Sequence, residues 1–245
     1  TSIENIHKVI DPLFLDELRE ELAEIKALKV PKIRNDKAEA FREKLSKLTF
    51  FDPACGSGNF LTETYISLRR LENEALEMIN EGQIMLGFDG IIKVSIGQFY
   101  GIEINDFAVT VAKTALWIAE SQMLKETEDI VNMSLDFLPL KSYANIVEGN
   151  ALRTDWETVV PKDKLNYIMG NPPFVGYSLQ TAEQKQDILS IYVDDKGKPY
   201  KTAGKIDYVS GWYFKAAELM QKTNIRTAFV STNSITQGEQ VAGVW

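Results

Sequence analysis

The stretch that most restricts the fold runs from Leu48 to about Ile79. Leu48-Thr49-Phe50-Phe51 is a short apolar run of strand length, and it ends in Asp52-Pro53-Ala54-Cys55-Gly56-Ser57-Gly58-Asn59-Phe60. From Leu61 onward apolar residues recur at helical spacing. Strand, glycine-rich turn and helix in that order form one half of a βα unit, and a strand followed by a helix pairs in parallel with the next strand rather than folding back on it.

The same alternation repeats downstream. Phe99-Tyr100-Gly101-Ile102-Glu103, Asn145 to Glu148, Leu165 to Met169 and Arg226 to Ser231 read as strands, while Asp106 to about Met123 and Asp207 to Lys222 read as helices. This predicts an α/β fold, a doubly wound and mostly parallel sheet with helices on both faces. Ile91 to Ile104 follows Asp89-Gly90 and is rich in β-branched and aromatic residues, which predicts a hairpin or extra strand, with Ile84 to Gln98 as an insertion. Val175 to Lys205 reads as polar and irregular. Ahead of the sheet, Asn5 to Ala27 is helical with an interruption near Asp11-Pro12, Lys29 to Asp36 reads as a loop, and Asp36 caps a second helix through Leu45. The expected organisation is an amino-terminal helical segment, 1–47, and a catalytic domain, 48–245.

Composition removes several classes of function. One cysteine, Cys55, and one histidine, His7, rule against a disulfide framework and a Cys- or His-based metal site, so no metal is expected. No run approaches the ~18 apolar residues of a membrane helix, and Thr1-Ser2-Ile3-Glu4-Asn5 lacks the form of a secretory leader, which together predict a cytoplasmic protein without a membrane partner. The formal net charge of −8 opposes the phosphate neutralisation that nucleic-acid binding requires. Most of these charges read as solvated helix faces.

In an open α/β sheet ligands bind beyond the carboxyl ends of the strands, and four groups of residues fall there. Gly56 and Gly58 leave room for a ligand against the backbone, and they also suit a turn that needs positive backbone angles. Leu61 stands where a dinucleotide fingerprint places its third glycine. Glu103 ends a strand, where a carboxylate can accept from both hydroxyls of a ribose. Asn150 carries an amide able to pair with an adenine edge, though asparagine is also common in turns for its backbone preferences. Asn171-Pro172-Pro173-Phe174 combines a side-chain acceptor, carbonyls next to prolines that donate nothing, and a flat ring, a clamp for an exocyclic amino group on a planar base; loop packing is the competing explanation.

Together these residues resemble the amino-group DNA methyltransferases, of the S-adenosylmethionine-dependent, Rossmann-like type. Asp52 to Phe60 resembles their cofactor motif, Glu103 their ribose acid, Asn150 their third motif and Asn171 to Phe174 their catalytic motif. Thr1-Ser2-Ile3-Glu4-Asn5-Ile6 resembles the end of an element that precedes the cofactor motif in one subgroup. More narrowly, Phe51 to Glu74, Gly170 to Leu179 and Ser231 to Val241 resemble the MmeI-like methyltransferase region of fused type II restriction-modification enzymes. The resemblance implies that Thr1, Asp52, Ala54, Gly56, Gly58, Phe60, Glu103, Ile104, Asn150 and Ala151 bind S-adenosyl-L-methionine. It implies that Asn171, Pro172 and Phe174 are catalytic, with Phe174 and Tyr177 stacking on the target base; for Phe60 a core role competes.

The implied reaction is methyl transfer to adenine N6 in double-stranded DNA, with the adenine flipped out of the helix. The Asp52 to Gly58 form points to DNA, and asparagine at 171 points to adenine rather than cytosine N4. Methylation of RNA, of cytosine N4, or a non-catalytic cofactor- or nucleic-acid-binding subunit are the alternatives. Asn150 departs from the aspartate of many relatives. The family continues with more sheet and a target-recognition domain, sometimes with a fused endonuclease, so the chain is expected to be a fragment that binds cofactor and has weak or no sequence-specific methylation.

Overall fold

The computed structural model describes residues 1–80, 90–135, 144–194 and 196–241. Five strands, β1 (Phe50–Asp52), β2 (Phe99–Glu103), β3 (Asn145–Glu148), β4 (Tyr167–Gly170) and β5 (Arg226–Phe229), form one sheet in the order β3-β2-β1-β4-β5. All four pairings are parallel. After β1 the chain winds through β2 to β3 on one side, then crosses to β4 and β5 on the other. The reversal lies between β1 and β4, and the crevice there opens beyond Asp52 and Gly170.

Adjacent residues of a strand face opposite sides of the sheet, and β1 shows why both sides must be covered. Phe50 joins a core with the amino-terminal helices and the helices α4 (Asn59–Asn80) and α5 (Asp106–Val131). Phe51 joins a second core on the other face with α6 (Ala182–Ile191) and α7 (Ser210–Met220). Both rings are fully buried, each contributing about 1.5–3 kcal/mol. The first core also takes in α1 (Ile3–Ile10), α2 (Asp16–Lys26) and α3 (Pro31–Leu45). Phe14 packs 5.1 Å from Phe50 and 4.9 Å from Tyr167, ring centre to ring centre, fastening the amino-terminal segment to two strands.

The interruption expected near Asp11-Pro12 is present as a π-helical turn over Asp11–Leu15, which accommodates the missing proline N–H and joins α1 to α2. Several expectations need correction. The second helix starts at Pro31 rather than after Asp36, with proline in the first turn where its lost donor has no cost. Among the described residues, no further strand lies between β1 and β2. Arg42 donates to the carbonyls of Gly90 and Ile91, and buried Glu72 accepts from the N–H groups of Lys93 and Val94, so side chains satisfy backbone that a hairpin would otherwise pair. The part of that expected insertion from Ile84 to Asp89 lies outside the described residues. Helix α5 runs on to Val131, and the region expected to be irregular contains α6.

Candidate active site

The carboxyl ends of β3, β2, β1 and β4 open into a cleft of about 560 Å³. Its wall takes Pro53, Ala54 and Gly56 from the turn after β1, Glu103 and Ile104 from the end of β2, Gly149, Asn150 and Ala151 after β3, and Asn171 and Pro173 after β4. The crossover order of the strands brings together residues spread over more than a hundred positions of sequence.

The two glycines of the turn do different work. Both have positive φ, +53° at Gly56 and +82° at Gly58. A Cβ on Gly56 would meet nothing within 4 Å, so this glycine keeps the turn open to the cleft. A Cβ on Gly58 would lie 3.0 Å from Cβ of Ala112, so that glycine lets α4 begin hard against α5. The turn is held on the cleft side by Glu103, whose carboxylate accepts from Gly56 N–H and from Asn105 N–H, both at 2.9 Å. Each oxygen keeps a lone pair for a further donor. Ile104, 67% exposed, offers an apolar surface beside it.

Asp52 lies beneath the cleft rather than in its wall. It is buried, accepts from Ala54 N–H at 2.9 Å, and fills the space a side chain at position 170 would need: a Cβ there would lie 2.9 Å from its Cγ. Burial pushes its carboxyl up to about 7, opposed by the Ala54 hydrogen bond and reinforced by the nearby charge of Glu103. Gly170 is therefore glycine because Asp52 occupies its side. Cys55 is buried against Gly101, and burial together with the neighbouring carboxylates raises its thiol pKa, which makes it a packing residue.

The Asn171 amide has one end engaged. Its Nδ2 donates to the Thr1 hydroxyl at 2.9 Å, while its Oδ1 is buried with no partner among the described residues. Pro172 is buried and Phe174 and Tyr177 are exposed at 43% and 47%, so both rings have free faces outside the cleft wall. Asp207 steadies Tyr177 by accepting from its N–H at 3.1 Å. Phe60 turns away into the core under α4 and α5, and neither it, Gly58, Thr1 nor Pro172 lines the cleft.

Residues of α6 and α7 and of the turns leading into them complete the wall and were not foreseen: Thr181, Glu183, Gln184, Asp187, Tyr208 and Trp212. Trp212 donates from its indole N–H to the Pro53 carbonyl at 3.1 Å, tying α7 to the glycine turn. The signal for α6 was present in Thr181 and Gln184, whose side chains form a reciprocal capping box with each other's backbone N–H. Asn150 is committed on both sides, to Asp187 through Nδ2 at 3.0 Å and to Leu152 N–H through Oδ1 at 2.9 Å.

The family described as "MmeI, DNA-methyltransferase domain" matches residues 28–245. The chain belongs to this family. It is 43% identical, over its whole length, to DNA methyltransferase A of Bacillus subtilis (strain 168), and 31% identical over 80 residues to a putative type II restriction enzyme and methyltransferase of Methanocaldococcus jannaschii. Among solved structures it superposes over its full length, with a TM-score of 0.91 and 46% identity, on the Type IIL restriction-modification enzyme MmeI in complex with DNA. The chain spans 27% of the Bacillus protein and 32% of the MmeI chain. Membership fixes the methyltransferase fold and makes the cleft at the β1/β4 reversal the candidate active site of this MmeI-type domain. No helix among the described residues is long and apolar enough to cross a membrane.

Proposed function

We propose that the chain transfers a methyl group from S-adenosyl-L-methionine to N6 of an adenine flipped out of double-stranded DNA, within a restriction-modification system. The observation that carries this reading is the buried, unpartnered Oδ1 of Asn171, an acceptor at the end of the cleft with its companion nitrogen already occupied by Thr1. A buried acceptor without a partner, in a residue of the cleft wall, is suited to a ligand that brings an N–H.

The residues fit the cofactor. Gly56 leaves backbone open to a ligand, Glu103 keeps lone pairs for ribose hydroxyls, and Ile104, Asn150 and Ala151 flank the far end with apolar surface and an amide. S-adenosyl-L-methionine would supply an activated methyl on a sulfonium sulfur. The chain's own task concerns the amino group that receives it, whose lone pair is delocalised into the adenine ring. Hydrogen bonds from that group to Asn171 Oδ1 and the Pro172 carbonyl draw its hydrogens out of the ring plane and leave the lone pair directed away from them. The proton lost from nitrogen after transfer passes to solvent. Positioning and preorganised acceptors supply the rate, with no covalent link to the protein. The exposed faces of Phe174 and Tyr177 offer stacking that offsets part of the few kcal/mol needed to unstack the base.

A nucleotide-dependent dehydrogenase would use a similar sheet and glycine turn, and would give Asn171 no role. Calorimetric titration separates the two: saturable binding of S-adenosyl-L-methionine and none of NAD is expected, and the reverse result overturns the proposal. A non-catalytic binding subunit would keep its function in Asn171→Ala. The proposed enzyme loses methyl transfer by about 100-fold or more while retaining cofactor binding.

A further inference from the structure

Asp187 lines the cleft from α6 yet is only 2% exposed. Its Oδ1 accepts from Arg153 Nε at 2.6 Å, and its Oδ2 from Asn150 Nδ2 at 3.0 Å and the Tyr208 hydroxyl at 2.8 Å. An ionised carboxylate only accepts, so it can face only the nitrogen end of the Asn150 amide. On the other end Leu152 N–H only donates, at 2.9 Å to Oδ1. Two partners of opposite kind thus fix an amide that could otherwise turn over. What remains is one lone pair on Oδ1, in a set place at the rim of the cleft, because Tyr208 is also hydrogen-bonded to the amide on the nitrogen's side.

The strand order gives that rim a meaning. Across the cleft Asn150, Glu103, Gly56 and Asn171 follow one another at the carboxyl ends of β3, β2, β1 and β4. With the ribose at Glu103 and methyl transfer at Asn171, the adenine of the cofactor falls at the Asn150 end. This step rests on the cofactor assignment proposed above.

We infer that Asp187 is a positioning residue for the cofactor's adenine: by fixing the donor and acceptor ends of the Asn150 amide, it sets the cleft's preference for a base edge bearing an amino group. Arg153 and Tyr208 hold the carboxylate in place for this task. Asp187→Asn keeps the shape but adds two hydrogens, which must face Arg153 Nε on one oxygen's side or Asn150 Nδ2 on the other, donor against donor. In the double variant Asn150→Asp with Asp187→Asn, the carboxylate moves to position 150. The amide at 187 then donates to it while still accepting from Arg153.

The test is calorimetric titration of S-adenosylhomocysteine, and of its N6,N6-dimethyl analogue, into the parent protein and these two variants. For Asp187→Asn the Kd of S-adenosylhomocysteine is expected to rise about tenfold, with the parent's discrimination against the dimethyl analogue largely lost. The double variant is expected to recover the discrimination, because a carboxylate at position 150 still accepts from an amino group, and part of the affinity. A merely structural role would lower the melting temperature and the binding-competent fraction and leave the discrimination ratio alone. An unchanged Kd in Asp187→Asn, or an equal loss for both ligands, overturns the inference while the cofactor assignment stands. A parent protein that binds neither ligand overturns both.

Discussion

The side-chain nitrogen of Asn171 donates to the Thr1 hydroxyl at 2.9 Å, which joins the first residue of the chain to the loop after β4 and leaves the Asn171 oxygen buried and bare. Leaving a buried acceptor unpaired costs about 1–3 kcal/mol, a cost that a bound amino group removes. Thr1→Val keeps the shape and deletes the hydroxyl. It is expected to lower the methyl-transfer rate about three- to tenfold, the worth of one hydrogen bond, with Thr1→Ser close to the parent in the same single-turnover assay.

The two turn glycines should separate folding from binding. Gly58→Ala drives a methyl group into Ala112 in the second turn of α5, and thermal unfolding should report the larger loss of stability. Gly56→Ala meets no neighbour, so it carries only the strain of positive φ, about 1–2 kcal/mol, together with a weaker affinity for S-adenosyl-L-methionine. Equal losses of stability at the two positions would contradict the division of roles.

How much of this was legible in the sequence depends on whether the signal was local. Phe50-Phe51 before Asp52 marked a doubly buried strand, and each strand end placed Gly56, Glu103, Asn150 and Asn171 on the same edge of a parallel sheet. Helix α6 was missed because its short polar sequence carries little amphipathic pattern, and its capping box at Thr181 and Gln184 was the one available sign. The extra strand before β2 was expected from β-branched residues whose backbone is in fact claimed by Glu72 and Arg42, a long-range effect that no local pattern shows. Asp187 was invisible for the same reason: its partners Asn150, Arg153 and Tyr208 come from two other parts of the chain.

The buried carboxyl of Asp52 makes stability fall as pH rises. Its pKa is about 7 in the folded protein against an ordinary 3.8, so between these values the unfolded chain has released a proton that the folded chain still holds. The unfolded state then binds fewer protons, and stability declines across that window and levels off above it. Asp52→Asn keeps an acceptor for Ala54 N–H and removes the titration. Its melting temperature should vary less between pH 4 and pH 7 than the parent's and exceed it at pH 8.

Beneath the sheet, Arg69 and Glu72 form an ion pair at 2.6 Å in which both side chains are almost wholly buried, with Thr127 accepting from the second Arg69 nitrogen. Glu72→Leu strands the guanidinium and should cost about 3–5 kcal/mol. Adding Arg69→Met should recover part of the loss, the remainder being the Lys93 and Val94 N–H groups that Glu72 had satisfied. Chemical denaturation of the three proteins measures both terms.

The central claim is that Asn171 presents its bare oxygen to the amino group of an adenine. Incubating duplex DNA with the protein and methyl-labelled S-adenosyl-L-methionine, then resolving the nucleosides by mass spectrometry, tests it most directly. The account predicts label in N6-methyl-2′-deoxyadenosine, lost in Asn171→Ala; label in a methylated cytosine, or label in adenine that survives Asn171→Ala, would contradict it.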